Sequence, residues 1–311
     1  MILRTLGVVV TVACALTLPR AAPSAHGVFD FPTSIAVDSQ GNVVVAERNR
    51  NQIDKYDVNG SVKWTLGGSG TSAGQFSSPM GVAIDSRGNV FVADYSNSRI
   101  QKFDPDSHFI TMWRGVQGNW PAGPLYTPVA VAIDLHDHVY VLDQQLAVVQ
   151  KFNNDGSQQL GAWYVGPLAE PSDLVIDPGG GYAYISDTSN HRVVKWGLAS
   201  DVSGRLTNAW FVGWAGRCTS GTHCNVPEKR SRGFTCTQTT CSPASDGAGL
   251  GQFNKPMGLG MDTRGNLAVA DFGNNRVQLF NRVIPSHQMV QPFGGTVTVR
   301  EVPIQHYHPF G

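Results

Sequence analysis

Charge is scarce in this sequence, and neither sign is in excess. Only 15 % of the 311 residues are Asp, Glu, Lys or Arg, and the formal net charge at pH 7 is zero. Nucleic-acid-binding proteins need a basic stripe, because they hold the phosphate backbone by displacing its counterions. The nearest approach to a stripe is residues 228–232, Glu-Lys-Arg-Ser-Arg, which is short and contains an acid. We therefore predict no nucleic-acid partner.

Catalytic and metal-binding motifs are also lacking. The chain has no His-Glu-x-x-His motif, no phosphate-binding loop and no Gly-x-Ser-x-Gly elbow set between a strand and a helix. Two histidine pairs, His136 with His138 and His306 with His308, have the spacing that puts two rings on one strand face, where they could hold a metal. We interpret both pairs as exposed turn and tail residues, and expect no metal and no cofactor.

No apolar run reaches the ~20 residues that a membrane helix needs. The run over residues 6–18 follows Arg4, ends at Pro19 and precedes small residues. This order predicts a signal peptide over residues 1–25, and hence a secreted protein, extracellular or periplasmic, with no membrane span in the mature chain. A membrane helix and a lipoprotein signal at Cys14 are the alternatives.

Cysteine is nearly confined to one cluster. Its spacings differ from the Cys-x₂-Cys pairs that zinc sites favour, so in an exported chain two disulfides are the better interpretation. Three pairings are open, and we favour pairing of sequence neighbours. The four cysteines are Cys218, Cys224, Cys236 and Cys241.

One sequence pattern is repeated five times along the chain. Each copy has short apolar runs of strand length around an Asp that opens a tight turn. The copies recur about every 45 residues, with a final interval about twice as long, which is the period of a four-stranded propeller blade. The turn aspartates are Asp38, Asp85, Asp134, Asp177 and Asp262.

Two features of the repeat are interpreted as structural. Three turns read Asp-x-x-Gly-Asn, where Gly supplies a positive φ; the third copy lacks this Gly, and we predict that Asp137 takes the left-handed position. A second acid ends the second strand, and we expect it to pair with an Arg five residues later where one is present. These acids are Glu47, Asp94, Asp143, Asp187 and Asp271.

The repeats resemble the NHL repeat, whose members share Pro-x-Gly-Val-Ala-Val-Asp-x-x-Gly-Asn-Ile-Tyr-Val-Ala-Asp-x-x-Asn-Asn-Arg-Ile-Gln. The segment 79–101 matches this pattern almost throughout, and 256–278 matches it closely. The resemblance implies an all-β propeller over residues 26–311, with five clear blades and an incomplete sixth left open. A sixth blade would need residues 294–311, where 296–302 supplies one strand.

The same resemblance limits the function. Among NHL proteins, the peptidyl-hydroxyglycine amidating lyases carry zinc histidines directly after the Pro that opens the innermost strand. In this chain no His follows that Pro, so the resemblance does not carry that zinc site over. The residues at this position are Thr33, Met80, Val129, Ser172 and Met257.

The long final interval indicates an insertion. Residues 217–248 interrupt a linker between blades, and we interpret them as a disulfide-stapled insertion over the mouth of the central channel. Loops that escape the repeat pattern belong on the same face, and their Arg, Tyr and amide side chains suit a protein surface or a polar ligand. The candidate ligand-binding residues are Arg48, Arg50, Tyr95, Gln144, Gln145, His191 and Phe272.

These observations favour a secreted binding or scaffold module over an enzyme. The expected partner is an extracellular protein or a polar small molecule. The alternative is an extracellular lyase or hydrolase with its site at the channel mouth.

Overall fold

A computed structural model describes residues 29–115, 121, 123–216 and 252–280, together with the strand at 299–303. The predicted signal peptide (1–25), the insertion at 217–248 with its four cysteines, and the histidine pair at 306 and 308 lie outside the described residues. All three therefore stay predictions.

The described chain is built from five antiparallel sheets of four strands, and each sheet takes its strands in sequence order. Only short 3₁₀ turns interrupt the strands, at Tyr95–Asn97, Thr188–Asn190 and Phe272–Asn274. We number the sheets as blades 1 to 5. Their strands are β1–β4 (Pro32–Val37, Val43–Glu47, Gln52–Tyr56, Val62–Gly67), β5–β8 (Pro79–Ile84, Val90–Asp94, Arg99–Phe103, Phe109–Trp113), β9–β12 (Pro128–Ile133, Val139–Asp143, Val148–Phe152, Gln159–Tyr164), β13–β16 (Pro171–Ile176, Tyr182–Asp187, Arg192–Ser200, Leu206–Gly216) and β17–β20 (Pro256–Met261, Leu267–Asp271, Arg276–Phe280, Val299–Pro303).

The first strand of each blade is the innermost one. β1, β5, β9, β13 and β17 pack side by side in this order, which confirms the predicted β-propeller. They begin at the opening prolines, and a bulge follows directly. In blade 2, for example, Pro79 pairs with Asp94, the register then shifts, and regular pairing resumes at Gly81.

The strand predicted near the C-terminus completes the fifth blade. Val299–Pro303 pairs antiparallel with β19 as its outermost strand, so in the described part of the chain it begins no sixth blade. Consecutive inner strands pack extensively against each other from β1 to β17. In the described residues, the first and last of them, β1 and β17, do not pack in this way. Consistently, β1 is only half-buried, whereas β9 is buried over most of its length.

The hydrophobic core lies between blades rather than within them. One apolar cluster joins Phe91 and Trp113 of blade 2 to Val141 and Phe152 of blade 3, and similar clusters join the other consecutive blades. When two sheets pack face to face about 10 Å apart, each buries the side chains that alternate strand residues point towards the other sheet. Each blade therefore depends on its neighbours for stability.

The Asp-initiated turns form as predicted. Asp85 Oδ1 accepts the backbone N–H groups of Arg87 and Asn89 at 3.0 and 2.9 Å, and its Oδ2 accepts the Asn89 side chain at 2.8 Å. In the third copy Asp137 has φ of 61°, which confirms the left-handed position assigned to it.

The acid at the end of each second strand holds the linker that enters the same blade. In every blade its carboxylate is fully buried and accepts a backbone N–H from the residue two positions before the opening Pro, at 2.6–2.9 Å. Three of these carboxylates also pair with an Arg five residues later at 2.6–2.7 Å, as predicted. The three pairs are Asp94 with Arg99, Asp187 with Arg192, and Asp271 with Arg276.

Arg99 shows how the pair fixes the linker. Its guanidinium is buried against Asp94 and also donates to the backbone carbonyls of Thr71, Ser72 and Gln75 in the linker between blades 1 and 2. One side chain therefore satisfies a buried carboxylate and three carbonyl groups of a segment with no sheet partners of its own.

Replacing Arg99 tests this role. Arg99→Met should lower the free energy of unfolding by about 3–5 kcal/mol, because it leaves Asp94 buried without its counter-charge. Chemical denaturation monitored by tryptophan fluorescence measures the loss. Arg87→Met removes an exposed Arg from a turn of the same blade and should change stability by no more than about 0.5 kcal/mol. Equal losses in the two variants would contradict the assignment.

Candidate functional site

The two ends of the propeller differ in construction. At one end the inner strands begin and the second strands finish, because each opening Pro pairs with the terminal acid of the second strand, as Pro256 does with Asp271. We call this end the linker face, since the linkers between blades also run across it. The opposite end carries the Asp-initiated turns, and we call it the hairpin face.

All seven predicted ligand-binding residues follow second strands and therefore lie on the linker face. Two of them, Tyr95 and His191, stabilise the fold through packing and hydrogen bonding. Tyr95 is half-buried and packs against the core between blades 3 and 4. His191 has φ of 53°, and its Nδ1 accepts the backbone N–H of Lys255 at 3.1 Å, which ties blade 4 to the linker of blade 5.

The other predicted residues are more available to a ligand. The guanidinium of Arg48 lies over the ring of Phe31, 5.7 Å from its centroid. Arg50 forms an ion pair with Glu47 at 3.2 Å. Gln145 is exposed, and Phe272 is 62 % exposed.

Gln144 is half-buried, and its backbone N–H donates to the carbonyl of Thr127. Because Gln145 is exposed, its side chain is a better candidate for ligand contact than that of Gln144.

Three exposed apolar residues on this face were missed from the sequence. They belong to the segments around the opening prolines, a position that the repeat pattern made look purely structural. Two of them, together with Phe272, belong to the first and last blades of the series. The missed residues, with their exposed fractions, are Phe31 (56 %), Tyr126 (44 %) and Met257 (41 %).

A buried carboxyl stands in the ring of inner strands. Asp173 occupies the position held by Ser34, Gly81, Ala130 and Gly258 in the other blades. This is the only acid at that position, which is the signal that sequence reasoning passed over. The site is tight, because a Cβ added to Gly81 would approach Ala130 Cα to 2.9 Å.

The Asp173 carboxyl bridges the inner strands of two blades. Its Oδ2 accepts the backbone N–H of Leu259 at 2.7 Å, and its Oδ1 accepts that of Leu174 at 2.8 Å. The residue keeps some exposed surface, but its carboxyl lies deep among the inner strands. Burial raises the pKa of Asp173 to about 7, although both N–H groups favour the charged form.

Three hydroxyl groups next to Asp173 serve to hold blades 4 and 5 together. Ser172 Oγ lies 3.0 Å from Ser186 Oγ and 2.8 Å from Thr188 Oγ1. Ser172 and Ser186 both donate to the carbonyl of Met257, and Thr188 donates to that of Pro256. Their hydrogen bonds explain these residues without a catalytic role.

One serine has a spacing typical of a nucleophile but not the required setting. Residues 70–74, Gly-Thr-Ser-Ala-Gly, match Gly-x-Ser-x-Gly in letters. An elbow needs a strand before the serine and a helix after it. Ser72 instead lies in a linker that leads into β5, and its backbone carbonyl accepts the Arg99 guanidinium.

A polar groove of about 390 Å³ opens on the hairpin face between blades 1 and 2. Lys55, Lys63, Arg87 and Asp106 contribute to its walls, and Lys55 forms an ion pair with Asp38 at 3.2 Å. The groove is therefore lined by charges of both signs, which gives it no clear preference for an anion or a cation.

The fold and its linker face define a β-propeller with consecutive four-stranded blades. The family model of the NHL repeat matches residues 29–56, 76–103 and 253–280, which lie in blades 1, 2 and 5. The chain is therefore an NHL-repeat β-propeller protein, as the resemblance implied. No curated protein matches the sequence.

Several solved structures are similar in fold. A streptogramin B lyase is 12 % identical and superposes with a TM-score of 0.51 over 89 % of this chain and 70 % of its own. A gluconolactonase from Xanthomonas campestris is 15 % identical, with a TM-score of 0.52 over 81 % and 73 % of the two chains. Kuenenia stuttgartiensis hydrazine synthase is 13 % identical, with a TM-score of 0.53 over 84 % of this chain and 80 % of its own. Identities this low support the fold alone.

The described part of the chain contains no candidate for a membrane-spanning helix. None of its helical segments has the length and hydrophobicity of a membrane span.

The raised pKa of Asp173 predicts a pH-dependent stability. Unfolded Asp titrates near 4, so between pH 4 and 7 the folded state binds more protons, and stability falls as the pH rises through this range. Asp173→Asn removes the titration while keeping an acceptor oxygen. The melting temperature of this variant relative to that of the wild type should therefore be higher at pH 8 than at pH 5.

Asp201→Asn is the matched control for this measurement. Asp201 lies in an exposed hairpin turn, and the hydrogen bond from the Ser203 side chain holds its pKa below the usual value. Its difference from the wild type should be the same at pH 5 and pH 8. A constant difference for Asp173→Asn as well would show that this carboxyl is not protonated in the folded state.

Proposed function

We propose that this protein is a secreted, protein-binding propeller whose partner contacts lie on the linker face. One observation carries the proposal: four large apolar side chains on this face are each at least 41 % exposed, namely Phe31, Tyr126, Met257 and Phe272. Groups of exposed apolar side chains on a soluble protein mark interaction sites more often than chance.

The chemistry of these side chains favours a protein partner. Phe31 is stacked by Arg48, and aromatic residues with Arg dominate the energetic centres of protein interfaces. The exposed Gln145 adds a polar group of the kind found at interface rims. Phe31 and Phe272 belong to different blades, so a contact surface that includes both is broader than a small molecule needs.

The insertion at 217–248 is proposed as part of the same surface. The strand before it, β16, ends at Gly216 and the strand after it, β17, begins at Pro256, and both ends lie on the linker face. Its four cysteines and the predicted signal peptide support export into an oxidising compartment, outside the cytoplasm.

A paired set of surface variants tests the choice of face. The double variant Phe31→Ser, Phe272→Ser should weaken retention of partner proteins from the extracellular fraction of the source cells at least tenfold, since each central aromatic contributes more than about 1 kcal/mol. Quantitative mass spectrometry of the retained proteins gives the readout.

Leu135→Ser is the matched control. Leu135 is 70 % exposed on the hairpin face, so its loss should leave retention unchanged. All three substitutions affect exposed side chains, and thermal melts confirm that the variants are folded. If Leu135→Ser abolished retention while the double variant retained the same proteins, the linker face would be the wrong surface.

A lyase or hydrolase is the second candidate function, and Asp173 favours it. A carboxyl with a pKa about 7 is suited to general acid–base catalysis near neutral pH. The fold relatives include a streptogramin B lyase and a gluconolactonase. Under this candidate, the wild type should turn over a member of a lactone and cyclic-ester panel, and Asp173→Asn should be at least ~100-fold slower. Absence of turnover by the wild type would remove this candidate.

A further inference from the structure

Three potential metal ligands meet in one turn on the hairpin face. Asp134 opens the turn between β9 and β10 of blade 3, and its Oδ1 accepts the backbone N–H groups of His136 and His138 at 2.9 and 3.0 Å. One ligand atom from each of the three side chains lies within 4.8 Å of the other two. The rings of the two histidines are 5.9 Å apart between centroids and tilted by 33°.

His138 is held in a defined orientation. Its Nδ1 lies 2.9 Å from Asp134 Oδ2, and its side chain is only 18 % exposed, so the prediction of an exposed turn histidine is wrong here. The prediction holds for His136, which is exposed. This contact fixes the orientation of the ring and places two potential ligand atoms, His138 Nδ1 and Asp134 Oδ2, side by side.

The turn itself does not require histidine. In blades 1, 2 and 5 an Asn stands at the position of His138, and its amide donates to the turn Asp at 2.6–2.8 Å. An Asn would therefore suffice to build the same turn. The residue two positions earlier is Gln40, Arg87 or Arg264 in those blades, so the paired imidazoles are peculiar to blade 3.

The next blade encloses one side of the cluster. The hairpin of β15 and β16 reaches over blade 3, and a Cβ added to its Gly204 would lie 2.3 Å from His138 Nε2. Gly204 thus packs directly against the Nε2 edge of the imidazole, where no larger residue would fit, and the Nδ1 edge faces Asp134. Behind the cluster, Tyr140 donates to Asp134 Oδ2 at 3.1 Å, and Lys151 Nζ lies 4.0 Å from the same oxygen.

We propose that Asp134, His136 and His138 bind a divalent transition metal ion, Zn²⁺ in the first instance. Two imidazoles and one carboxylate are a ligand set that suits Zn²⁺, and water completes its tetrahedral coordination. The ion reaches the site through the exposed His136, whereas Asp134 and His138 supply a fixed inner wall. The nearby Lys151 ammonium opposes the ion's charge, so binding is weaker than at a closed structural zinc site.

Zinc titration of the protein, kept under non-reducing conditions and freed of bound metal by a chelator, tests the proposal. Calorimetry should detect a Zn²⁺ site in the wild type that is weakened at least tenfold in His136→Ala. Because His136 is exposed, its removal should leave the melting temperature without metal unchanged. Added Zn²⁺ should raise the melting temperature of the wild type and not that of His136→Ala.

His108→Ala is the matched control. His108 lies 2.9 Å from Asp104 in a turn of the same kind in blade 2, but no second histidine accompanies it. This variant should bind Zn²⁺ like the wild type. If the wild type and His136→Ala took up Zn²⁺ with equal affinity and stoichiometry, the ion would be bound elsewhere and the proposal would be wrong. Absence of Zn²⁺ binding by the wild type would overturn it equally.

Discussion

The interaction on which this propeller depends is a buried carboxylate that accepts a backbone N–H from a linker. Strands within a blade satisfy one another, but the segment entering each blade has no ladder of its own. The acid at the end of the second strand solves this problem in all five blades, at 2.6–2.9 Å. It sets the point at which the opening Pro enters the inner strand, and so fixes the position of the blade relative to the axis.

The compensation of this buried charge differs between blades. Blades 2, 4 and 5 supply an Arg five residues on, whereas blade 1 has Gln52 and blade 3 has Val148 at that position. In blade 1 the acid is Glu47, and burial together with the neighbouring Asp54 raises its pKa, although Arg50 forms an ion pair with it. In blade 3, Asp143 relies on N–H and hydroxyl donors alone. In each blade the described end of the linker is therefore tied to a buried carboxylate, and exposed side chains such as Phe31 stand next to these fixed points.

Much of the fold could be predicted because the residues that form the turns and ion pairs of a blade recur at fixed positions in each repeat. The Asp-initiated turns, the left-handed Asp137 and the Asp94–Arg99 pair depend on residues close in sequence. The exposure of Phe31 and Met257 could not be predicted, since it depends on how separate blades meet. Asp173 and the enclosed His138 were missed for the same reason: neighbouring strands bury them, and no short-range pattern reports that burial.

Every blade consists of one uninterrupted stretch of chain, and each described stretch enters and leaves its blade on the linker face. No described strand is exchanged between the first and last blades. A single in-frame duplication or deletion of one repeat would therefore add or remove a whole blade without cutting a sheet. The number of blades in such a protein is open to change by recombination, and the contacts that limit it are those between inner strands. A lineage built this way can alter the width of its ring while keeping every internal hydrogen bond of the blades that remain.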